Sequence, residues 1–401
     1  MPALRPADLV STDAAVIARL WTALTVVMAV LAAALWVVAP GGSLTGFETI
    51  VVYLLLVPAG VPILLGRRVP ELIGAHGVAF PRLFRATFHI QLAAAALLVT
   101  SVVMRRTDEV DASWNFFTAA SCPVPGLEVD LRILGVLLVA VATALTTINA
   151  MATIHVGRNQ ELPWHRLPAG VVAIYCRSVV AGSCAPVAAL AMVLLLLERH
   201  AGAGLFWGAA GGDPLLFQHV FWFALHPLLV TSLLPALGMV LQATERGGAT
   251  RAQRAALYVA TGASVLAWGQ HLHGSSPLHA ITVSVYALVA IPPLAYLATQ
   301  AARAMVTSGG LRGVPLMAAA VVTLLAATFG GRELMAAVPS LSVGLDLMLF
   351  GTVGLALLAL TVLAGLVVGW TPSAPRWPMS SASAPGSRGH RPAVAATLQQ
   401  V

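Results

Sequence analysis

Long apolar runs alternate with short polar or arginine-bearing connections along nearly the whole chain. Crossing a hydrocarbon core about 30 Å thick takes roughly 20 residues of helix. The runs that meet this length are 18–39, 48–66, 86–104, 132–156, 168–197, 217–243, 254–273, 278–302, 313–330 and 344–370. In hydrocarbon every backbone polar group must be satisfied internally, so each run is predicted to be a helix. The pattern therefore predicts an all-α fold, a polytopic membrane helix bundle of about ten transmembrane helices spanning 18–370. A polar lead (1–17) precedes it, and a tail rich in Pro, Ser and Ala (371–401) follows and is predicted to be disordered. The run around 213–239, DPLLFQHVFWFALHPLLVTSLLPALGM, carries His226 near its middle. Pro227 follows at once, and the hydrogen bond it removes predicts a bend there.

Composition sharpens the class. With 59% hydrophobic and only 9% charged residues, a soluble globular domain, in which about a quarter would be charged, is excluded. Every cation is an arginine. If the spans start from the N-terminal side, most arginines, among them Arg67, Arg68, Arg82, Arg85, Arg246, Arg251 and Arg254, share one side. Arg105, Arg106, Arg132, Arg199 and Arg332 fall on the other. The positive-inside rule then predicts that both termini are cytoplasmic. The net charge of +7 reflects this loop bias, so the expected partner is the lipid bilayer and not nucleic acid. Residues 1–17 do not read as a cleavable signal peptide. Cys122, Cys176 and Cys184 show no metal-ligand spacing. Arg177 lies inside a span about two and a half turns from its end, which predicts that its side chain snorkels to the headgroups.

The motifs within and around the sixth span are more specific than its hydropathy. Gly211, Gly212, Asp213 and Pro214 are followed by Gln218, His219, Val220, Phe221, Trp222 and Phe223, then by His226 and Pro227. This order resembles the sixth transmembrane helix of subunit I of the haem-copper oxidases, the cytochrome c oxidase family. Ala79, Phe80, Pro81 and Arg82 resemble the entry to that family's third helix, and Asn149 echoes a motif of its fourth. The resemblance implies an oxidase-like bundle in a bacterial cell membrane, beside other respiratory-complex subunits.

In that family the histidine before the proline binds copper, a glutamate relays protons and a tyrosine is tied to a second copper ligand. The chain keeps the first as His226 but has Leu228 and Val230 at the other two positions. Around Trp268 the family's pair of copper histidines reads Gln270 and His271. His226 and His271 would make a residual copper site, with His273 as a further candidate, although two residues along a helix turn it about 200° from His271. The bland reading is that His271, His273 and His279 are interfacial residues at a helix end.

Haem fares worse in the resemblance. Phe47 stands where a haem-ligating histidine belongs, no histidine precedes His76, and none lies between His279 and His390. Met348, the soft ligand nearest the expected region, is expected to pack. Positions of proton-carrying groups read Gly77, Leu228 and Tyr296. The expectation is a haem-free, catalytically degenerate scaffold or accessory subunit, with no haem cofactor and no catalytic residue assigned. The alternatives are a divergent terminal oxidase or nitric-oxide-reductase-like enzyme with other ligands, a copper-binding membrane protein, and a quinone or lipid binder.

Overall fold

The chain is described here by a computed structural model, which covers residues 12–38, 49–104, 126–244, 248–271 and 277–307. Phe47, Cys122, His273, Met348 and the expected spans 313–330 and 344–370 lie outside the described residues. Within them the protein is an all-α bundle. Among the described residues, five helical stretches are long and apolar enough to cross a membrane: Asp13–Leu35, Pro81–Val103, Leu127–Val156, Ala169–Ala201 and Pro214–Gln242.

Helix α1 (Thr12–Val38) buries a stripe of Ala14, Ala18, Trp21, Met28 and Ala32 and exposes Val16, Val26, Val27 and Val30. That spacing places one face on the bundle and leaves the other to lipid. The second expected span is broken. A π-helical turn (Val51–Leu56) leads through Val57–Gly60 into the short α2 (Val61–Leu65), and α3 (Arg68–Ile73) follows. Pro62 has no N–H to give the carbonyl of Pro58, and the N–H of Val61 takes that carbonyl instead at 3.1 Å. Ala59 (φ 48°) and Gly60 (φ 66°) carry the chain through the break.

The long helices α4 (Pro81–Val103), α5 (Leu127–Val156) and α6 (Ala169–Ala201) form the centre, each packed on the next. Gly135 lets α5 close on α4: a Cβ there would meet Leu98 Cγ at 2.6 Å. The sixth span is α7 (Pro214–Thr231) and α8 (Leu233–Thr244), separated at Ser232. The helix runs through Pro227, where a bend is expected, and its regular hydrogen bonding is interrupted at Ser232, five residues on. The seventh is α9 (Arg251–Ala263), tightening into a 3-10 helix over Ser264–His271. The eighth divides into α10 (Pro277–Val289) and α11 (Ile291–Thr307) around Ala290, ahead of Pro292 and Pro293.

Direction follows from cross-links between helices. Gly170 N donates to Gln242 Oε1 at 3.2 Å and Cys184 Sγ lies 3.8 Å from Phe223 O, so α7 and α8 run antiparallel to α6. Ala249 N donates to Leu167 O at 3.0 Å and Cys176 meets Thr261, so α9 runs alongside α6 in the same sense. The N-terminus of α9 is closed by a reciprocal cap between Thr250 and Gln253.

Candidate functional site: a buried arginine where two helices break

Arg177 sits in α6 about 12 Å from the helix start at the usual rise per residue, and it is 1% exposed. Its side chain does not reach for the headgroups, and the snorkelling expectation is corrected. The physical reason is the set of acceptors that the bundle supplies. One terminal nitrogen donates to Leu228 O at 2.6 Å and to Thr231 Oγ1 at 2.7 Å, and the other donates to Val57 O.

Each acceptor exists because regular helix stops nearby. In an unbroken helix the N–H of Val61 would take Val57 O; here it is used on Pro58. Likewise the N–H of Ser232 bonds Leu229 O at 3.1 Å and releases Leu228 O. The Thr231 hydroxyl donates to Pro227 O at 2.7 Å, so its oxygen faces the guanidinium as an acceptor. Pro227, lacking an N–H, leaves Phe223 O to the Cys184 thiol. Two breaks in different spans thus expose polar backbone, and one side chain with a planar fork of donors fills both. The signal was present in the sequence as Pro58, Gly60 and Pro62 within an apolar run, together with a charge inside another. Paired, they point to a buried arginine.

The motif residues of the sixth span prove to have local partners. Gly211 has φ 89°, and a Cβ on Gly212 would lie 2.7 Å from the backbone of Leu205 and Phe206. Asp213 accepts from Leu215 N at 2.9 Å as the cap of α7, and Pro214 takes the first helical position. Glu198, nearly buried, closes the same loop by accepting from Leu205 N (2.7 Å) and Trp207 N (3.0 Å). Gln218 accepts from Trp222 Nε1 at 2.8 Å, and the Trp222 ring lies 4.1 Å from that of His226. The Ala79–Arg82 motif meets Asn149: Phe80 N donates to Asn149 Oδ1 (3.1 Å), Asn149 Nδ2 donates back to Phe80 O (2.9 Å), and Ala79 N donates to Thr153 Oγ1 (2.9 Å). The start of α4 is therefore capped by side chains of α5, a pairing 69 residues apart that spacing alone does not reveal.

The candidate metal residues are placed as follows. His226 is on α7, half-buried. His271 ends the 3-10 helix that packs along α7, and its side chain, like that of Gln270, lies outside the described residues; His273 lies outside them altogether. Trp268 Nε1 donates to His219 O at 3.1 Å, which sets the two segments level at that pair. They run antiparallel, so the three residues beyond Trp268 lead away from His226. Among the described residues no group of three or more His, Cys, Asp or Glu converges.

Comparison with known proteins agrees with this architecture. The model of the family "Cytochrome C and Quinol oxidase polypeptide I" matches residues 10–345. A cytochrome c oxidase subunit 1 of Thermostichus vulcanus is 31% identical over 197 residues, 49% of this chain and 35% of that protein. A cytochrome c oxidase polypeptide 1 of Halobacterium salinarum is 31% identical over 172 residues, 43% of this chain and 29% of its own length. A cytochrome c oxidase subunit 1 of Synechocystis sp. is 31% identical over 192 residues, 48% and 34% respectively. The matches span about a third of the length of these relatives. With a family match over most of its length and a bundle of membrane-spanning helices behind it, this chain is a multi-pass membrane protein that belongs to the cytochrome c and quinol oxidase polypeptide I family.

Proposed function

We propose that the chain is a haem-free, catalytically degenerate member of this family, serving as a scaffold or accessory subunit of a respiratory complex in a bacterial cell membrane. The observation that carries the reading is the exchange at Leu228. The resemblance places a proton-relaying glutamate there, whereas here Leu228 offers only its backbone oxygen, and that oxygen holds the guanidinium of Arg177. An arginine does not deprotonate in a protein, so a fixed cation is bound to the backbone of the residue at which the resemblance places a titrating acid.

The residues present also do not suit haem. An axial ligand is required, and no histidine stands before His76 or between His279 and His390. The motif residues that do remain, Gly211 to Pro214, Gln218, His219, Asn149 and Trp268, are engaged in caps and helix contacts. Such contacts support a fold kept for its shape.

The test is an absorbance spectrum with a pyridine haemochrome assay and metal analysis on the purified full chain. No Soret band and no stoichiometric copper are expected. About one haem per chain would overturn the haem-free reading and favour a divergent oxidase, and copper lost on His226→Ala would restore the metal site. Gentle solubilisation from native membranes is expected to bring down other respiratory subunits. A chain that emerges alone would remove the accessory role.

A further inference from the structure

Beside Arg177 is a small cavity lined by α1, the turn before α2, α2 itself, α4, α5 and α6, with room for about one water molecule (≈ 10 Å³). Its polar lining comes from Trp21, Gln91, Thr143, Thr146, Thr147, Arg177 and Ser178. Three of these bring buried polar atoms that have no hydrogen-bond partner: Trp21 Nε1, Thr143 Oγ1 and Ser178 Oγ. The residues are 3%, 7% and 0% exposed, so lipid or bulk water does not satisfy them. Buried polar groups in native proteins are almost always paired. Three such atoms around one cavity point to something held there.

The chemistry of the lining selects what. An indole N–H and a guanidinium are donors without acceptor capacity, and the two hydroxyls are free to turn as donors. The bonds from Arg177 to Val57, Leu228 and Thr231 all go to neutral oxygens, and among the described residues no carboxylate pairs with it. A buried cation without a counter-charge is costly. We propose that this cavity is a binding site for a single monatomic inorganic anion of halide size, held by Arg177, Trp21 Nε1, Thr143 Oγ1 and Ser178 Oγ. A water molecule would engage the donors but leave the charge without a counter-ion. A monatomic ion is the anion that suits a space of this size. The proposal stands apart from the haem-free reading, since it requires only this cavity.

The experiment uses the purified full chain in sodium gluconate, an anion too large to enter, with sodium bromide exchanged in at constant ionic strength. The thermal unfolding midpoint is expected to rise and saturate with bromide and with chloride, and crystals grown in bromide are expected to show an anomalous peak in the cavity. Ser178→Ala, which removes an unpartnered atom, is expected to unfold in gluconate at or above the wild-type midpoint, whereas Trp21→Phe also shrinks a buried ring packed on Phe88 and is expected to unfold below it. Each should weaken apparent bromide affinity about ten-fold, the effect of one lost hydrogen bond to a charged group. Equal midpoints in bromide and gluconate would show that water alone occupies the cavity and would overturn the proposal. A bromide effect unchanged in both variants would place the ion elsewhere and overturn it as well.

Discussion

A guanidinium deep in a membrane bundle persists only where oxygens are fixed around it, and Arg177 has Val57, Leu228 and Thr231 in that role. Lysine at this position would keep the charge but lose the planar fork that serves two broken helices at once. Arg177→Lys is expected to destabilise the purified protein by about 2–4 kcal/mol, as two charge-assisted bonds are lost, read as a lower thermal unfolding midpoint. Asn149 is a second such residue. Its amide satisfies both the N–H and the C=O of Phe80, so Asn149→Ala leaves two backbone groups without partners and is expected to cost roughly 2–4 kcal/mol. Asn149→Asp is not expected to rescue it, because a carboxylate would face Phe80 O with no donor. A wild-type midpoint for either Ala or Asp would show that water replaces the amide.

At the scale of elements, close backbone approach sets the packing. A Cβ on Gly238 of α8 would collide with Ala173 and lie 2.9 Å from Ala169 O on α6, and membrane helices commonly use small residues in this way. Gly238→Leu is expected to force α8 off α6, lowering stability by about 1–3 kcal/mol and, through the displaced Leu228 and Thr231, disturbing Arg177. Gly212→Ala is expected to disrupt the turn before α7 by a similar amount, measurable as earlier thermal unfolding. The long helices were legible because a run of apolar residues has few alternatives in lipid; α1, α4 and α5 end within a residue of the predicted limits but begin five or six residues earlier, and α6 runs four residues past its predicted end. The broken spans were not. Hydropathy averages over Pro58 to Pro62 and over Ser232, and the penalty for a break depends on whether a distant side chain satisfies the freed carbonyls. For the same reason Arg177 was read from its own helix alone, and its buried position emerged only with α7 and the turn before α2 in place.

For the molecule as a whole, the arginine-rich connections lie between α2 and α4, between α5 and α6, and between α8 and α9, at one end of an antiparallel bundle. We expect this end to face the cytoplasm. Reporter fusions within 157–163 are expected to report cytoplasmic, and fusions within 105–125 to report the opposite side; the reverse pattern would invert the orientation. The arrangement around Arg177 also has a consequence for biosynthesis. Synthesis proceeds from the N-terminus, so Val57 is in place when Arg177 leaves the ribosome, whereas Leu228 and Thr231 follow 51 and 54 residues later. An arginine inside an inserting helix costs up to roughly 2.5–3.5 kcal/mol, the value at the centre, and during that interval two of the three acceptors of Arg177 do not yet exist. The fifth helix is thus a passenger of the sixth. Nascent chains cut after Ala201 are expected to be cleared rapidly by membrane quality control in a pulse-chase experiment, and chains extended through Thr244 to persist.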